Sequence, residues 1–396
     1  MPSFPSFSIG RLPRIEFGAG TLRKLPEIAA GFGRRLMLVT GQSAFAESDA
    51  GRRLFKTLAD QGFETTHLRV AGEPSPAWVD EQVQRHAGMT FDVVIGIGGG
   101  SPLDAAKALA GLLAVGDSVM DYLEGAGPEK PYEGPALPFI AVPTTAGTGS
   151  EATRNAVLST PGETGFKKSF RDEQLVPAHA IVDPDLLSTC PPELIAANGM
   201  DAFTQLMESY VSLRANPFTD ALAWSGIEAA AQSLPRWHDN PEDRDAAARM
   251  AYAALVSGIC LAHTGLGSVH GLAAPLGAFF PIPHGVACGT LVAEATRLNI
   301  DALETRDPDS PALEKYAELG KLFRQKRHVD PVGARVFLVH TLTRWTEKMQ
   351  LPRLGAFGVA TGDIPRIVAH SRGSSMQTNP IVLTDEEIGQ LLSARL

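Results

Sequence analysis

The sequence predicts an N-terminal α/β domain built on a parallel sheet, followed by an all-helical C-terminal domain. In the first half, short and continuously apolar strand candidates alternate with helical patterns, which is typical of a parallel sheet covered on both faces. Beyond residue 185 the β-branched runs nearly cease and helical patterns dominate. The chain of 396 residues is also too long for one typical core. We therefore expect domains at residues 1–189 and 190–396.

The same patterns predict the individual elements. A strand and turn at 14–22 precede the first strand–helix unit. Further strands are predicted at 36–40, 65–70, 93–97, 139–142 and 180–182, and helices of this domain at 49–62, 78–88 and 105–115. Helices of the second domain are predicted at 193–198, 200–212, 217–234, 242–262, 268–279, 313–323, 330–348, 364–371 and 385–394.

Composition and charge argue against several classes of function. The net charge is -9 without a run of Lys or Arg, which argues against a nucleic-acid partner. Three widely spaced cysteines without a CxxC pair argue against a disulfide framework and a thiolate zinc site, and suit a reducing cytosol. The N-terminus lacks the pattern of a signal peptide, and the apolar run at 108–115 is too short to cross a bilayer. We expect a cytoplasmic protein without a membrane partner.

A glycine run at 98–100 predicts an anion site between the strand at 93–97 and the helix that follows. We expect Ser101 to cap that helix, Pro102 to occupy its first position and Asp104 to reach back to the cap. The unpaired N–H groups and positive dipole end of the helix would then hold a pyrophosphate. The alternative is a tight strand–helix turn in which the glycines serve packing alone.

A second polar turn follows the strand at 139–142. The segment PTTAGTGSE, residues 143–151, places three threonines and a serine among small residues. Their hydroxyl and backbone N–H groups are suited to a ligand, although a capped, solvated loop is the simpler alternative. Because both turns leave the carboxyl ends of strands in one sheet, we expect them to converge on a nucleotide.

The helical domain contains a candidate metal site. Asp201 and Gln205 lie one turn apart on the inward face of a predicted helix, where an acid and an amide are costly unless something binds them. His270 and His284 lie in apolar segments flanked by glycine or proline. Such histidines are commonly ordinary core residues, but together with Asp201 they would suit zinc or ferrous iron acting as a Lewis acid.

Nearly the whole chain resembles the iron-containing, or group III, alcohol dehydrogenase family. GGGSPLDAAK (98–107) is similar to the family's GGGSxxDxAK, and VDPDL (182–186) to its VDPEL. PTTAGTGSE resembles the turn on the nicotinamide side. GMDAFTQLMESYVS (199–212) resembles GMDALTHxxExYVS, and GLGSVHGLAAPLGAFFPIPHG (265–285) resembles GLGxxHxxAHxLGxxxxxPHG.

This resemblance implies a Rossmann-like N-terminal domain for NAD(P) and a helical C-terminal domain with one metal ion, a fold similar to that of dehydroquinate synthase. It implies hydride transfer between an alcohol and an aldehyde or ketone whose carbonyl the metal polarises. The implied metal ligands are Asp201, Gln205, His270 and His284. The implied cofactor contacts are Gly41, Gly98, Gly99, Gly100, Ser101, Asp104, Thr144, Thr145, Thr148 and Lys167.

Two positions depart from the family pattern. Gln205 occupies the place of a ligand histidine, and an amide oxygen binds zinc or iron more weakly than imidazole does. Ala274 occupies the place of a histidine associated with proton transfer. His263 is a candidate replacement, and a purely structural histidine is the simpler interpretation. The three remaining ligands would still form a catalytic site with an open position.

Three functions remain open from the sequence. The first is a metal-dependent NAD(P)H-linked alcohol dehydrogenase or aldehyde reductase. The second is a reductase of an oxo-acid such as maleylacetate that works without metal and tolerates Gln205. The third is a nucleotide-binding relative that has lost catalysis. The segment after the strand at 36–40 lacks the acidic residue that binds a ribose 2′-hydroxyl, which slightly favours NADP(H). Pairing of the edge segment at 14–17 would give a homodimer.

Overall fold

The computed structural model describes residues 5–324 and 329–396. The described chain forms two compact units, one from Gly10 to Cys190 and one from Pro191 to Leu396 together with the N-terminal segment as far as Ile9. The boundary lies one residue beyond the predicted one, and the N-terminal segment groups with the helices. The first four residues of the segment interpreted as lacking a signal peptide lie outside the described residues.

The first unit is an α/β unit. Its strands are β1 (Arg14–Phe17), β2 (Arg35–Gly41), β3 (Glu64–Val70), β4 (Val93–Gly98), β5 (Phe139–Pro143), β6 (Asn155–Thr160), β7 (Phe166–Arg171) and β8 (His179–Val182). Its helices are α1 (Leu25–Ala30), α2 (Asp49–Asp60), α3 (Pro76–Arg85) and α4 (Gly100–Leu112). Six strands form a parallel sheet in the order β1–β8–β5–β4–β2–β3. The predicted Rossmann-like parallel sheet is therefore confirmed.

Continuous apolar strands place a core on both faces of this sheet. Met37 and Val39 of β2 pack into one apolar layer, whereas Leu36 and Leu38 pack into the other. Because side chains alternate along a strand, burial on both faces requires an unbroken apolar run. This requirement explains why the sequence revealed the inner strands β2, β4, β5 and β8, whereas the edge strands β1 and β3 are largely exposed.

The antiparallel hairpin of β6 and β7 was missed by the sequence analysis. The sequence of β7, FKKSFR, is half cationic and carries no strong apolar alternation. Its extended form depends on pairing with β6, with Asn155 opposite Arg171 and Thr160 opposite Phe166. Such pairing is a tertiary property that local propensity does not report.

The second unit is helical. Its helices are α5 (Pro192–Val211), α6 (Pro217–Asp239), α7 (Arg244–Thr264), α8 (Ser268–Phe279), α9 (His284–Arg306), α10 (Pro311–Arg324), α11 (Pro331–Lys348), α12 (Ile364–His370) and α13 (Asp385–Ala394). The helices predicted at 193–198 and 200–212 are one continuous helix, α5. Gly199 lies inside this helix and does not end it. An added Cβ would be 2.2 Å from a Leu234 methyl carbon, so the glycine permits α6 to pack closely against α5.

Helix α9 was not predicted, although it is 23 residues long. Gly285 and Gly289 lower its helix propensity, and buried residues surround most of its circumference, so its periodicity is weak. Both glycines lie on one face because they are four residues apart. An added Cβ at Gly285 would lie 2.4 Å from the Ala197 carbonyl oxygen, and one at Gly289 would lie 2.9 Å from Met200 Cβ. The start of α9 thus packs closely against the middle of α5.

Among the described residues, one helix, α7, is long and apolar enough to cross a membrane. However, 67% of its most apolar window is buried inside the helical unit. Core helices of folded proteins meet the same length and composition requirements.

Replacing Gly285 with Ala should lower the stability of the protein. The new methyl group would overlap the Ala197 carbonyl oxygen, and overpacking of this kind costs about 1–3 kcal/mol. Chemical denaturation of Gly285→Ala measures the loss. The control is Gly362→Ala, since no atom lies within 4 Å of a Cβ built there and its effect should stay within about 0.5 kcal/mol. Equal stability of the two variants would contradict the proposed close contact.

Candidate functional site

In the α/β unit, the glycine turn and the threonine turn follow neighbouring strands. Gly98 at the end of β4 lies opposite Pro143 at the end of β5. The Thr144 N–H donates to the Gly98 carbonyl oxygen at 2.9 Å. The chain passes from β2 outward to β3 and then returns to β4 on the other side of β2. Open α/β sheets bind ligands where the strand order reverses in this way, and both turns lie at this edge.

Two glycines allow the turns to touch. Gly98 has a φ of 154°, and an added Cβ would lie 2.5 Å from Pro102 Cγ. An added Cβ at Gly100 would lie 2.8 Å from Thr148 Cγ2. A side chain at Gly100 would separate the threonine turn from the first turn of α4, and one at Gly98 would overlap Pro102 in that first turn. The glycine run therefore serves packing between the turns as well as access for a ligand.

The threonines are the accessible part of the second turn. Within residues 143–151, Thr144, Thr145 and Thr148 are partly exposed and the other six residues are buried. Thr145 Oγ1 also lies next to Gly99, at 3.3 Å from the position of an added Cβ. These three side chains are consequently the groups of this turn that a nucleotide can reach.

The cap of α4 differs from the prediction. Gly99 is the N-cap, so Ser101 lies inside the first turn and Pro102 is the third helical residue. The Asp104 carboxylate accepts a hydrogen bond from the Ser150 hydroxyl at 2.6 Å and does not reach back to a cap. The prediction was wrong because β4 continues through the first glycine of the run, and the second glycine then takes the extended cap conformation.

A buried ammonium group joins the two turns. Lys107 of α4 is fully buried. Its Nζ lies within 3.0 Å of four oxygen atoms, which are the carbonyls of Ser150 and Asn155 and the hydroxyls of Ser150 and Thr153. Burial lowers the pKa of Lys107 to about 8, against the opposing effect of the Asp104 carboxylate. The sequence analysis assigned no role to Lys107, although it ends the GGGSPLDAAK segment.

The remaining predicted cofactor contacts lie elsewhere in this unit. Gly41 ends β2 and is followed by the exposed residues Gln42 and Ser43. Lys167 lies on β7 and forms an ion pair with the Glu73 carboxylate. Lys167 would have to leave this ion pair in order to contact a ribose.

In the helical unit, four side chains from three helices converge. One ligand atom each of Asp201, His270, His284 and Cys288 lies within 4.8 Å of the others. Asp201 Oδ1 is 3.2 Å from His270 Nε2 and 3.8 Å from His284 Nε2. Cys288 Sγ is 3.6 and 3.8 Å from the same two nitrogens. The fold thus brings together three predicted ligands and adds a cysteine.

These separations suit a tetrahedral divalent ion. Bonds of about 2.0–2.1 Å to nitrogen or oxygen and about 2.3 Å to sulfur place tetrahedral ligand atoms about 3.3–3.6 Å apart. Four of the six pairwise separations in the cluster are 3.2 to 3.8 Å, and all six lie within 4.8 Å. Oxygen, nitrogen and sulfur donors of this kind also match the ligands that zinc and iron take in proteins.

Glu208 orients one of the histidines. Its Oε2 lies 2.6 Å from His270 Nδ1, and its Oε1 accepts a hydrogen bond from the Val269 N–H at 2.7 Å. A proton on Nδ1 completes the first contact and leaves the Nε2 lone pair directed at the cluster, as in carboxylate–histidine–metal arrangements. Asp201, Gln205 and Glu208 share one face of α5 because they are spaced by four and three residues. That spacing was the sequence signal for Glu208, to which no role was assigned.

Gln205 is placed beside the cluster and bonded to protein groups. Its amide nitrogen donates to Asp201 Oδ1 at 3.1 Å, and its amide oxygen accepts from the Ser257 hydroxyl at 2.7 Å. In this orientation the amide presents no lone pair to the cluster. Ligation by Gln205 requires the amide group to rotate by half a turn. The Ser257 hydroxyl would then accept a hydrogen bond from the amide nitrogen and donate to the Ala254 carbonyl oxygen, which lies 2.8 Å from the Ser257 oxygen.

The buried carboxyl groups of Asp201 and Glu208 favour a positive charge close to them. Asp201 and Glu208 are 1% and 5% exposed. Burial opposes ionisation of Asp201, but His284 and His270 outweigh it and lower its pKa. Burial also opposes the charged form of His270, but Cys288, Glu208 and Asp201 together raise its pKa well above the ordinary value. A divalent cation supplies this positive charge in place of a proton.

Cys288 was overlooked because α9 was not predicted. His284 and Cys288 share one face of that helix, four residues apart. A CxxC pair is the usual sequence sign of a thiolate site, whereas here a single cysteine joins His284 of its own helix and ligands from two other helices. The candidate relay His263 lies on α7 with Nδ1 2.7 Å from the Ile259 carbonyl oxygen, and it is not a member of the cluster.

Comparison with known proteins covers both units. The family model for iron-containing alcohol dehydrogenases matches residues 13–184. The model for the C-terminal region of the same family matches residues 195–396. Together the two matches include every residue assigned above to the two candidate sites.

Individual relatives match over nearly their full length. Alcohol dehydrogenase 4 of Saccharomyces cerevisiae strain YJM789 is 32% identical over 94% of this chain and 94% of the relative. The 1,3-propanediol dehydrogenase of Citrobacter freundii is 32% identical over 92% of this chain and 94% of the relative. The crystal structure of an archaeal halo-thermophilic alcohol dehydrogenase from a Red Sea brine pool is 29% identical over 100% of both chains, with a TM-score of 0.91.

The buried carboxyl of Glu151 should make stability depend on pH. Burial raises its pKa from 4.5 to about 7. Between these values the folded state keeps a proton that the unfolded state has released, so the free energy of unfolding falls as pH rises. Glu151→Gln removes this contribution, which amounts to at most about 3 kcal/mol across the window. Urea denaturation between pH 4.5 and 7 measures the slope.

The control for that measurement is Glu193→Gln, which changes an exposed residue of α5. It should keep the wild-type slope. If Glu151→Gln also keeps that slope, the buried carboxyl is not the source of the pH dependence.

Proposed function

The chain belongs to the iron-containing alcohol dehydrogenase family of oxidoreductases, and from this premise we propose that it is a metal-dependent, NAD(P)H-linked enzyme. Its reaction would interconvert a small alcohol with an aldehyde or ketone. The observation that carries the proposal is the convergence of Asp201, His270 and His284 in the helical unit. A nucleotide-binding protein without catalysis would have no use for three donors with these separations, of which Asp201 and His270 are buried and His284 is partly exposed.

Each unit contributes a separate part of the proposed reaction. A divalent ion held by Asp201, His270 and His284 would supply Lewis-acid chemistry at the substrate oxygen, and the nicotinamide would supply or accept the hydride. Glu208 holds the Nδ1 proton of His270 and so keeps Nε2 available as a ligand. The Ala274 side chain cannot carry a proton, and His263, whose Nδ1 lies 2.7 Å from the Ile259 carbonyl oxygen, fits a structural role better than that of a proton carrier.

The nucleotide would bind at the carboxyl edge of the sheet. The free N–H groups at the start of α4 favour the pyrophosphate, and the partly exposed threonines of the adjoining turn offer hydroxyl groups. Gly98–Ser101, Asp104, Lys167 and Gly41 remain proposed contacts around this position. Lys107 does not reach a ligand in this proposal, because four protein oxygens surround it, and it acts by holding the two turns together.

We propose a slight preference for NADP(H) over NAD(H). Gly41 ends β2, and Gln42 and Ser43 follow it without a carboxylate that would repel a 2′-phosphate. Titration of both reduced cofactors, followed by nicotinamide fluorescence, measures the ratio of dissociation constants. A ratio that favours NADH by more than about tenfold, or 1.4 kcal/mol, would contradict this preference.

A homodimer in the cytoplasm completes the proposal. Strand β1 is at the edge of the sheet, with Ile15 and Phe17 partly exposed at 37% and 41%. An exposed edge of this kind can pair with a second copy. Sedimentation of the protein tests this part independently of its activity.

The second candidate function, a metal-free oxo-acid reductase, is favoured by one observation. Gln205 donates to Asp201, which satisfies one lone pair of that carboxylate without an ion. Complete removal of metal with a chelator separates the two functions. Activity toward a carbonyl substrate should be lost if the first proposal is correct and retained if the second is.

Substituting the cluster should abolish turnover while leaving nucleotide binding intact. The full-length protein is assayed with NADH and NADPH on a panel of small aldehydes and ketones, with metal content measured in parallel. His284→Ala should lower kcat/KM by more than about 100-fold, or 2.7 kcal/mol, because it removes a direct ligand. His340→Ala, an exposed histidine of α11, should behave as wild type. No turnover on any carbonyl after reconstitution with zinc or iron would refute the proposed function.

Glu208→Gln tests the orientation of His270 separately. A glutamine cannot accept the Nδ1 proton with a full negative charge, so zinc affinity should fall about 10- to 100-fold. Competition with a chromophoric chelator measures the affinity, and a wild-type value would show that Glu208 does not position the ligand.

A further inference from the structure

Cys288 is the fourth donor of the metal cluster, whereas Gln205, which the family resemblance implies as a ligand, is bonded to Asp201 and Ser257. We propose that its thiolate is the fourth protein ligand of the ion, and that Gln205 is a positioning residue that holds Asp201. This inference rests on the proposed function, since both require an ion at the cluster. It changes the donor set from two oxygens and two imidazoles to one oxygen, two imidazoles and an anionic sulfur.

The geometry favours sulfur over the amide. Cys288 Sγ is 3.6 and 3.8 Å from the Nε2 atoms of His270 and His284, against about 3.5 Å for ligands of one tetrahedral zinc ion. Both separations exceed that value by no more than a few tenths of an ångström. The amide of Gln205 instead has to turn over and exchange the partners of both its oxygen and its nitrogen.

The packing of α9 supports the same assignment. His284 and Cys288 lie one turn apart, so the helix presents both donors together. Gly285 and Gly289 hold this part of α9 against α5, which carries Asp201. His284 and Cys288 of α9 therefore lie close to Asp201 of α5. Gln205 is the residue of α5 that donates a hydrogen bond to this carboxylate.

The other two cysteines provide an internal contrast. Cys190 Sγ donates to the Thr144 carbonyl oxygen at 3.5 Å, and Cys260 Sγ donates to the Thr219 carbonyl oxygen at 3.7 Å. Both are buried thiols with backbone acceptors, as is ordinary for structural cysteines. Cys288 instead contacts two imidazole nitrogens, which are themselves candidate ligands.

The chemistry of ligation is a proton exchange without redox change. The S–H bond of Cys288 breaks, an S–metal bond forms, and the proton leaves to solvent. The resulting thiolate favours zinc over ferrous iron, because soft sulfur ligands select zinc in preference to harder ions. We therefore expect zinc to displace iron from this protein at equal concentrations.

The experiment uses the full-length protein loaded with Co²⁺, which reports thiolate ligation by a charge-transfer absorption in the near ultraviolet. Wild type, Gln205→Ala and the matched control Cys260→Ser should all show this absorption. Cys288→Ser should lack it, and its zinc affinity should fall by more than about 100-fold, beyond the loss typical of residues that only orient a ligand. Cys288→Ala provides a second variant without a hydroxyl donor.

The outcomes separate this inference from the proposed function. If wild type binds one Co²⁺ without the thiolate absorption, or if Cys288→Ser retains it, the cysteine is not a ligand, while the metal-dependent function stands. If wild type binds neither Co²⁺ nor Zn²⁺, both proposals fail. Absence of the absorption in wild type overturns the inference without any variant, and its presence is assigned to Cys288 by its loss in both Cys288→Ser and Cys288→Ala.

Discussion

The close contact between α5 and α9 is the interaction on which the candidate metal centre depends. Gly285 and Gly289 leave no side chain between the two helices, so the backbone of α9 approaches Ala197 and Met200 directly. Donors near the start of α9 then reach the buried Asp201. A larger residue at either glycine would hold the helices apart by more than the few tenths of an ångström that metal–ligand distances tolerate.

A buried charge plays the corresponding role in the α/β unit. Desolvation of the Lys107 ammonium is costly, and four oxygen contacts offset it only when the threonine turn and α4 are in place. The pair of turns proposed to hold the nucleotide is thereby made rigid by a residue that we do not expect to touch it. Both candidate sites thus rely on groups one layer away from the proposed ligands, Lys107 in one unit and Glu208 in the other.

The departure at residue 205 acquires a physical explanation in this arrangement. Considered alone, Gln205 weakens a metal site by replacing imidazole with an amide. In the folded chain it donates to Asp201, and a thiol from α9 lies across the cluster at a distance that suits a ligand. The proposed site still has four donors. One of them, Asp201, lies on α5, one, His270, lies on α8, and two, His284 and Cys288, lie on α9.

The sequence by itself determined the parallel sheet, the helical second unit, the two polar turns and the residues Asp201, His270 and His284. Continuous apolar runs, glycine–proline turns and family motifs are local patterns, and local patterns are what a sequence displays directly. Only the tertiary structure decided the cap of α4 and the β6–β7 hairpin, and only it placed Cys288, Glu208 and Lys107 beside the groups that they contact. These contacts join segments distant along the chain, and a helical spacing shows which residues share a face but does not show what that face contacts.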